Sequence, residues 1–134
     1  MLFRSRQSHL IGHDAIAGEV AGGFEAWSAA GRPVARIPLI DAAETGERLV
    51  VDVRQSAEYS DGHPKGAVSL ELGQLGYAGD GPGRIQKGRP LVTICGHGER
   101  AMSAASLLES LGFDDTAVAE GGVGAMRRAG VEME

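Results

Sequence analysis

The chain has 134 residues, 43% of them hydrophobic and 23% charged, with 13 basic against 18 acidic side chains and a net charge of -5. That is one ordinary globular domain and a little more, long enough to bury a core without staples. The acidic balance speaks against nucleic acid as a partner. The lone cysteine excludes an internal disulfide and fits a reducing, cytoplasmic setting, and no apolar run nears the ~20 residues of a membrane span.

In chain order, residues 1–9 carry two arginines but no apolar run, so they are not a secretory signal; a non-native or disordered start is expected there. Residues 10–34 hold an expected strand at 15–20 and then a helix bearing Phe24 and Trp27. The first clear β-rich run is 48–53, RLVVDV, followed by GAVSL at 66–70. Residues 73–90, rich in glycine, read as a turn-rich surface connection. PLVTIC at 90–95 is a continuous apolar run of the kind buried on both faces of a parallel sheet. Ala101, Ala104, Ala105, Leu108 and Leu111 then recur at helical spacing, and Gly112 suits the residue after a helix end. TAVAE at 116–120 is a weaker fourth strand. This alternation predicts an α/β fold.

AGGFEAWSAAGRPV at 21–34 and EGGVGAMRRAGVEM at 120–133 align without a gap over five identities: Gly22/Gly121, Gly23/Gly122, Ala26/Ala125, Ala30/Ala129 and Gly31/Gly130. Shared Ala and Gly in two amphipathic helices would explain one or two of these, but not five at one offset. Residues 10–34 are therefore expected to be the closing remnant of an earlier copy of the same domain plus a linker, and 35–134 the complete copy. Trp27 is then core filling for the earlier copy. Met126, standing where that copy has Trp27, implies thinner packing of the last helix.

Cys95 ends the 90–95 strand, where α/β folds place their sites. Gly96, His97, Gly98 and Glu99 follow, and Arg100 stands where the helix begins. Glycine lets successive N–H groups point inward as an anion nest. The helix start and the Arg100 guanidinium add positive charge. Surroundings of this kind lower a free thiol from ~8.5 to between ~3.5 and ~7.5, so no adjacent base is needed. His97 at the loop tip reads as solvated, not as a proton carrier. Nor do Cys95 and His97 offer metal-ligand spacing. Asp52 and Arg54 close the 48–53 strand, and Arg54 is expected to pair with Glu58 at i,i+4.

VVDVR (50–54), EYSDGH (58–63), GAVSL (66–70), ICGHGERA (94–101) and EGGVGAM (120–126) occur in the order of the rhodanese-like sulfurtransferase domain, and over 35–134 the chain resembles that family. The resemblance implies a central, mostly parallel sheet flanked by helices on both faces. It implies that Cys95 carries sulfane sulfur as a persulfide, that the backbone of Gly96, His97, Gly98, Glu99 and Arg100 binds the transferred sulfur, and that Asp52, Arg54, Glu58 and His63 support the site. His63 falls in the family's Gly-His turn. The partners implied are a small-molecule donor (thiosulfate or a persulfide), a thiol or other thiophilic acceptor, and further domains of a longer chain, with no metal and no cofactor. A loop of Cys-x4-Arg is one residue shorter than that of the related phosphatases, which argues against phosphate chemistry.

Two departures matter. The turn reads GHPKGA where the family has Gly-His-Ile-Pro-Gly-Ala, so it is expected to sit differently. Glu99 puts a carboxylate into a loop meant for anions, which opposes the dianion thiosulfate. A non-catalytic binding or regulatory module on the same fold is the alternative that these departures favour.

Overall fold

The computed structural model describes residue 15, residues 17–75 and residues 82–134. The expectations for residues 1–9, for the start of 10–34 and for 76–81 lie outside the described residues. The chain falls into two units, Met1–Ala35 and Arg36–Glu134.

The described residues of the first unit hold one helix, α1 (Gly23–Ala29), entered through Gly22 at φ 77°. The strand expected at 15–20 is absent among the described residues there. A strand exists by its ladder, and the described part of this unit holds no second strand to pair with it. Within the unit Phe24 is 67% and Trp27 38% exposed. The Trp27 indole N–H donates to the Pro33 carbonyl at 3.0 Å, and the Arg32 guanidinium lies 5.7 Å from the indole centroid.

The second unit is a parallel sheet in which every strand after the first is followed by a helix. Its elements are β1 (Leu39–Ile40), β2 (Leu49–Asp52), α2 (Ser56–Ser60), β3 (Val68–Ser69), α3 (Leu72–Leu75), β4 (Leu91–Ile94), α4 (Glu99–Ser110), β5 (Thr116–Ala119) and α5 (Gly122–Arg128). The strand order is β1-β5-β4-β2-β3, and every pairing is parallel. The four expected strands and the long helix are all present. β1 is an addition, paired through Leu39↔Val118 and Ile40↔Ala119.

All four residues of β4 and all four of β5 are buried, as their unbroken apolar runs require. Alternate side chains go to opposite faces. Leu91 and Cys95 join the cluster built on Ala101, Ala104, Ala105 and Leu108 of α4. Val92 and Ile94 join Val123 and Met126 of α5. The expected surface connection at 73–90 differs in part: Leu75 and Ile85 are buried in the α4 cluster, so two apolar anchors tie the segment down. Met126 is fully buried in the cluster that holds Val92 and Ile94. Methionine's flexible thioether fills such a slot without an aromatic ring.

The chain leaves β2 toward β3 on one side and β4 toward β5 on the other. Their C-terminal ends therefore diverge and leave the crevice that open α/β sheets use for ligands. Asp52 and Cys95 stand at those two ends.

Candidate active site

Cys95 is the first residue after β4 and is 1% exposed. Its Sγ accepts the Gly98 backbone N–H at 3.0 Å. Gly98 is the residue before α4 and has φ 134°, a left-handed value that a side chain rarely adopts. The glycine thus lets the loop double back so that its own amide meets the sulfur. Gly96 and Gly98 are partly buried, while His97 and Glu99 are exposed. Among the described residues no hydrogen bond or ion pair involves the Glu99 carboxylate.

The carbonyl side of Cys95 is fixed from below. The Val123 N–H donates to the Cys95 carbonyl at 3.0 Å. A Cβ on Gly122 would collide with that carbonyl oxygen and stand 2.8 Å from the carbonyl oxygen of Gly96, and Gly122 has φ 60°. The start of α5 is therefore a backbone seat for the Cys95 loop, which only glycine permits. Sequence reasoning used the Gly-Gly pair as a repeat marker and missed this role.

Arg100 lies on the first turn of α4. Its Nη1 donates to Glu58 Oε2 at 2.7 Å and its Nη2 to Glu58 Oε1 at 3.0 Å, a bidentate fork. Glu58 Oε2 also accepts the Gln55 N–H at 3.1 Å, completing the cap at the start of α2. The Arg100 hydrogen bond, then the Gln55 amide, hold the Glu58 carboxyl at about 2, against its usual 4.5. Arg100 is pushed up in turn, first by the Glu58 hydrogen bond, with smaller contributions from the Cys95 and Asp52 charges.

This corrects the expected Arg54–Glu58 pair. Arg54 lies before α2, outside the helix, so i,i+4 spacing does not apply to it. Instead it folds back on Asp52: its Nε donates to both carboxylate oxygens at 3.0 Å and its Nη2 to Oδ2 at 2.6 Å. Arg54 Nη2 also donates to the Gly62 carbonyl at 2.9 Å. Asp52 is 0% and Arg54 8% exposed. A buried pair of this kind is held because each charge needs the other. It ties the end of β2 to the turn after α2.

His63 lies in that turn. Its ring stacks on Tyr59 with centroids 3.5 Å apart, and its Nδ1 lies 2.9 Å from the Tyr59 carbonyl. The GHPKGA turn pairs with the chain's last residues. The His63 N–H donates to the Glu134 carbonyl, the Lys65 N–H to the Glu132 carbonyl, and Pro64 bridges Met133. Of the expected site residues, then, Cys95, Gly96, His97, Gly98, Glu99 and Arg100 form one loop, and Glu58 joins them by an ion pair. Asp52 and Arg54 pair with each other beside it, and His63 contacts the helix that presents Glu58. Among the described residues no three His, Cys, Asp or Glu side chains gather as a metal site would need.

The Rhodanese-like domain family matches residues 38–129. The thiosulfate sulfurtransferase GlpE of Shewanella oneidensis is 33% identical over 68% of this chain and 87% of its own length. That of Pseudomonas fluorescens is 34% identical over 65% of this chain and 79% of its own. Among solved structures, the rhodanese-like domain of an Anabaena protein superposes with a TM-score of 0.64 at 26% identity, covering 74% of this chain and 80% of that one. A rhodanese-related protein from Thermoplasma volcanium gives 0.64 at 23% identity, over 72% and 97%. With its parallel sheet, its cysteine at the end of the central strand and these relatives, the chain belongs to the rhodanese-like domain family.

Proposed function

We propose that the chain is a sulfurtransferase in which Cys95 carries sulfane sulfur as a persulfide, taken from a small-molecule donor and passed to a thiol or other thiophilic acceptor. The observation that carries this reading is the Cys95 sulfur itself, at the end of the central strand with the Gly98 amide 3.0 Å away. A thiolate needs donors aimed at it and no base beside it. In the loading step the Cys95 thiolate attacks the outer sulfur of the donor. A Cys95 S–S bond forms, the donor's S–S bond breaks, and the inner sulfur leaves with the electron pair. The amides of Gly96 to Arg100 then face the new terminal sulfur. In the second step an acceptor thiolate takes that sulfur and Cys95 is regenerated. No electrons enter or leave, so the cycle calls for no redox cofactor. Among the described residues no helix is long and apolar enough to cross a membrane, and a carrier thiol keeps best in a reducing cytoplasm.

Because Cys95 is the only cysteine, intact-mass measurement reports on it alone. Exposure to glutathione persulfide should add one sulfur to the wild-type protein, removable by reductant, and none to Cys95→Ser. Equal labelling of both, or labelling of neither, would overturn the carrier reading.

A further inference from the structure

The loop has one fixed cation, and that cation is already engaged. Each terminal nitrogen of Arg100 gives one N–H to the Glu58 carboxylate, so the fork between them is filled. Glu99, the neighbouring residue, is exposed on the same first turn of α4. The one guanidinium of the 95–100 loop therefore answers the Glu58 carboxylate, the neighbouring Glu99 and the attacking thiolate. A site built for a dianion would leave the Arg100 fork open to it, since a fork of this geometry matches an oxyanion in two hydrogen bonds. Here an oxyanion must compete with Glu58, whose carboxylate is fixed by Arg100 on one side and the Gln55 amide on the other.

We propose that Glu58 and Glu99 are specificity residues: the first by filling the Arg100 fork, the second by its own charge at the loop, they select a sulfur donor of low charge over a dianion such as thiosulfate. The inference rests on the carrier reading above and names its donor class, an alkyl persulfide RSSH. The step balances without further reagents. The Cys95 thiolate and RSSH give Cys95–S–SH and RS⁻: one S–S bond forms, one breaks, and the proton stays on the transferred sulfur. With thiosulfate the same attack brings a dianion against two carboxylates and expels sulfite.

The test compares sulfur loading from thiosulfate and from the persulfide of 2-mercaptoethanol, which carries one charge at most, by kcat/KM at low and high salt. The wild type should prefer the persulfide. Glu99→Gln should raise the ratio of kcat/KM for thiosulfate to that for the persulfide by roughly fivefold at low salt and lose that gain at high salt, because an exposed charge is screened. Glu99→Asp, which keeps the charge, should keep the wild-type ratio. Glu58→Gln retains an amide oxygen for the Gln55 cap and loosens the hold on Arg100, so it should shift the ratio toward thiosulfate as well. Equal use of both donors by the wild type, or an unchanged ratio in Glu99→Gln, would overturn the selectivity and leave the carrier reading intact. A uniform loss with both donors would give Glu99 a structural role and also overturn it. Loading from neither donor would overturn the carrier reading itself.

Discussion

At the scale of single residues, the side chain that organises the mouth is Glu58. Its pair with Arg100 is more than a third exposed at both ends, and a pair so placed contributes only about 0–1 kcal/mol to stability. Its consequence is orientation: it fixes where the loop's guanidinium stands. The pH range follows from the sign of the shift. The Glu58 carboxyl is depressed to about 2 from 4.5, so the pair is fully formed above pH 4.5 and is lost only as pH falls through about 2. Across neutral and mildly acidic pH, Arg100 therefore stays engaged. Titration of Glu58 by carboxyl carbon chemical shift should show a midpoint near 2. A midpoint at the ordinary value would mean that the pair does not hold in solution. Asp52 and Arg54 differ in kind. Their pair is buried, and removing one partner of such a pair typically costs ~3–5 kcal/mol because the other charge is stranded.

At the scale of elements, α5 works as a seat for the Cys95 loop as well as a cover for the sheet. Its first residue, Gly122, has backbone oxygens of Cys95 and Gly96 where a Cβ would be, and a left-handed φ besides. Gly122→Ala should lower stability by about 2–4 kcal/mol, from the conformational strain and the forced shift together, and should slow Cys95 loading by displacing its carbonyl. Gly124→Ala, two residues on in the same helix, is the control. Its φ is ordinary and its Cβ would meet only the end of the Arg128 side chain at 3.5 Å, so it should be neutral or stabilise by up to ~1 kcal/mol. Melting curves for the two variants check the difference, and similar losses in both would reject the seat. The pattern of what could be read beforehand has the same physical root. β2, β4, β5 and α4 announce themselves by unbroken apolar runs or a helical period, and the Cys95 loop by its glycines. β1 has two residues, Leu39 and Ile40, too few for any period to show. The partner of Glu58 lies 42 residues away, and no local spacing points to it. The mistaken Arg54–Glu58 pair came from counting i,i+4 across residues that precede the helix.

At the scale of the whole molecule, the two units share one local geometry. Helices α1 and α5 have seven residues each at the same offset as the sequence repeat. Gly22 and Gly121 have φ 77° and 73°, Gly23 and Gly122 have 63° and 60°, and Gly31 and Gly130 have 67° and 81°. A Cβ on Gly22 would meet Ala26 at 2.8 Å, and one on Gly121 would meet Ala125 at 2.8 Å. In α5 the inward positions, Val123 and Met126, are 5% and 0% exposed against the sheet; their counterparts Phe24 and Trp27 are 67% and 38% exposed. We propose that 10–34 is the closing segment of an earlier rhodanese-like repeat and that 35–134 folds without it. Within Arg36–Glu134, α5 already fills the helix position on the Val92 and Ile94 face. The family match, at 38–129, lies wholly inside this unit. A chain beginning at Arg36 should therefore keep a single cooperative melt within a few degrees of the 134-residue chain and load Cys95 at the same rate. It should also be less prone to self-association, because it lacks the exposed Phe24 and Trp27. Size-exclusion chromatography and calorimetry of the two chains, with persulfide loading as the third readout, check this. A truncated chain that loses its melt would show that the segment is part of the same folding unit, and one that melts normally but no longer loads would assign 10–34 a part in the site.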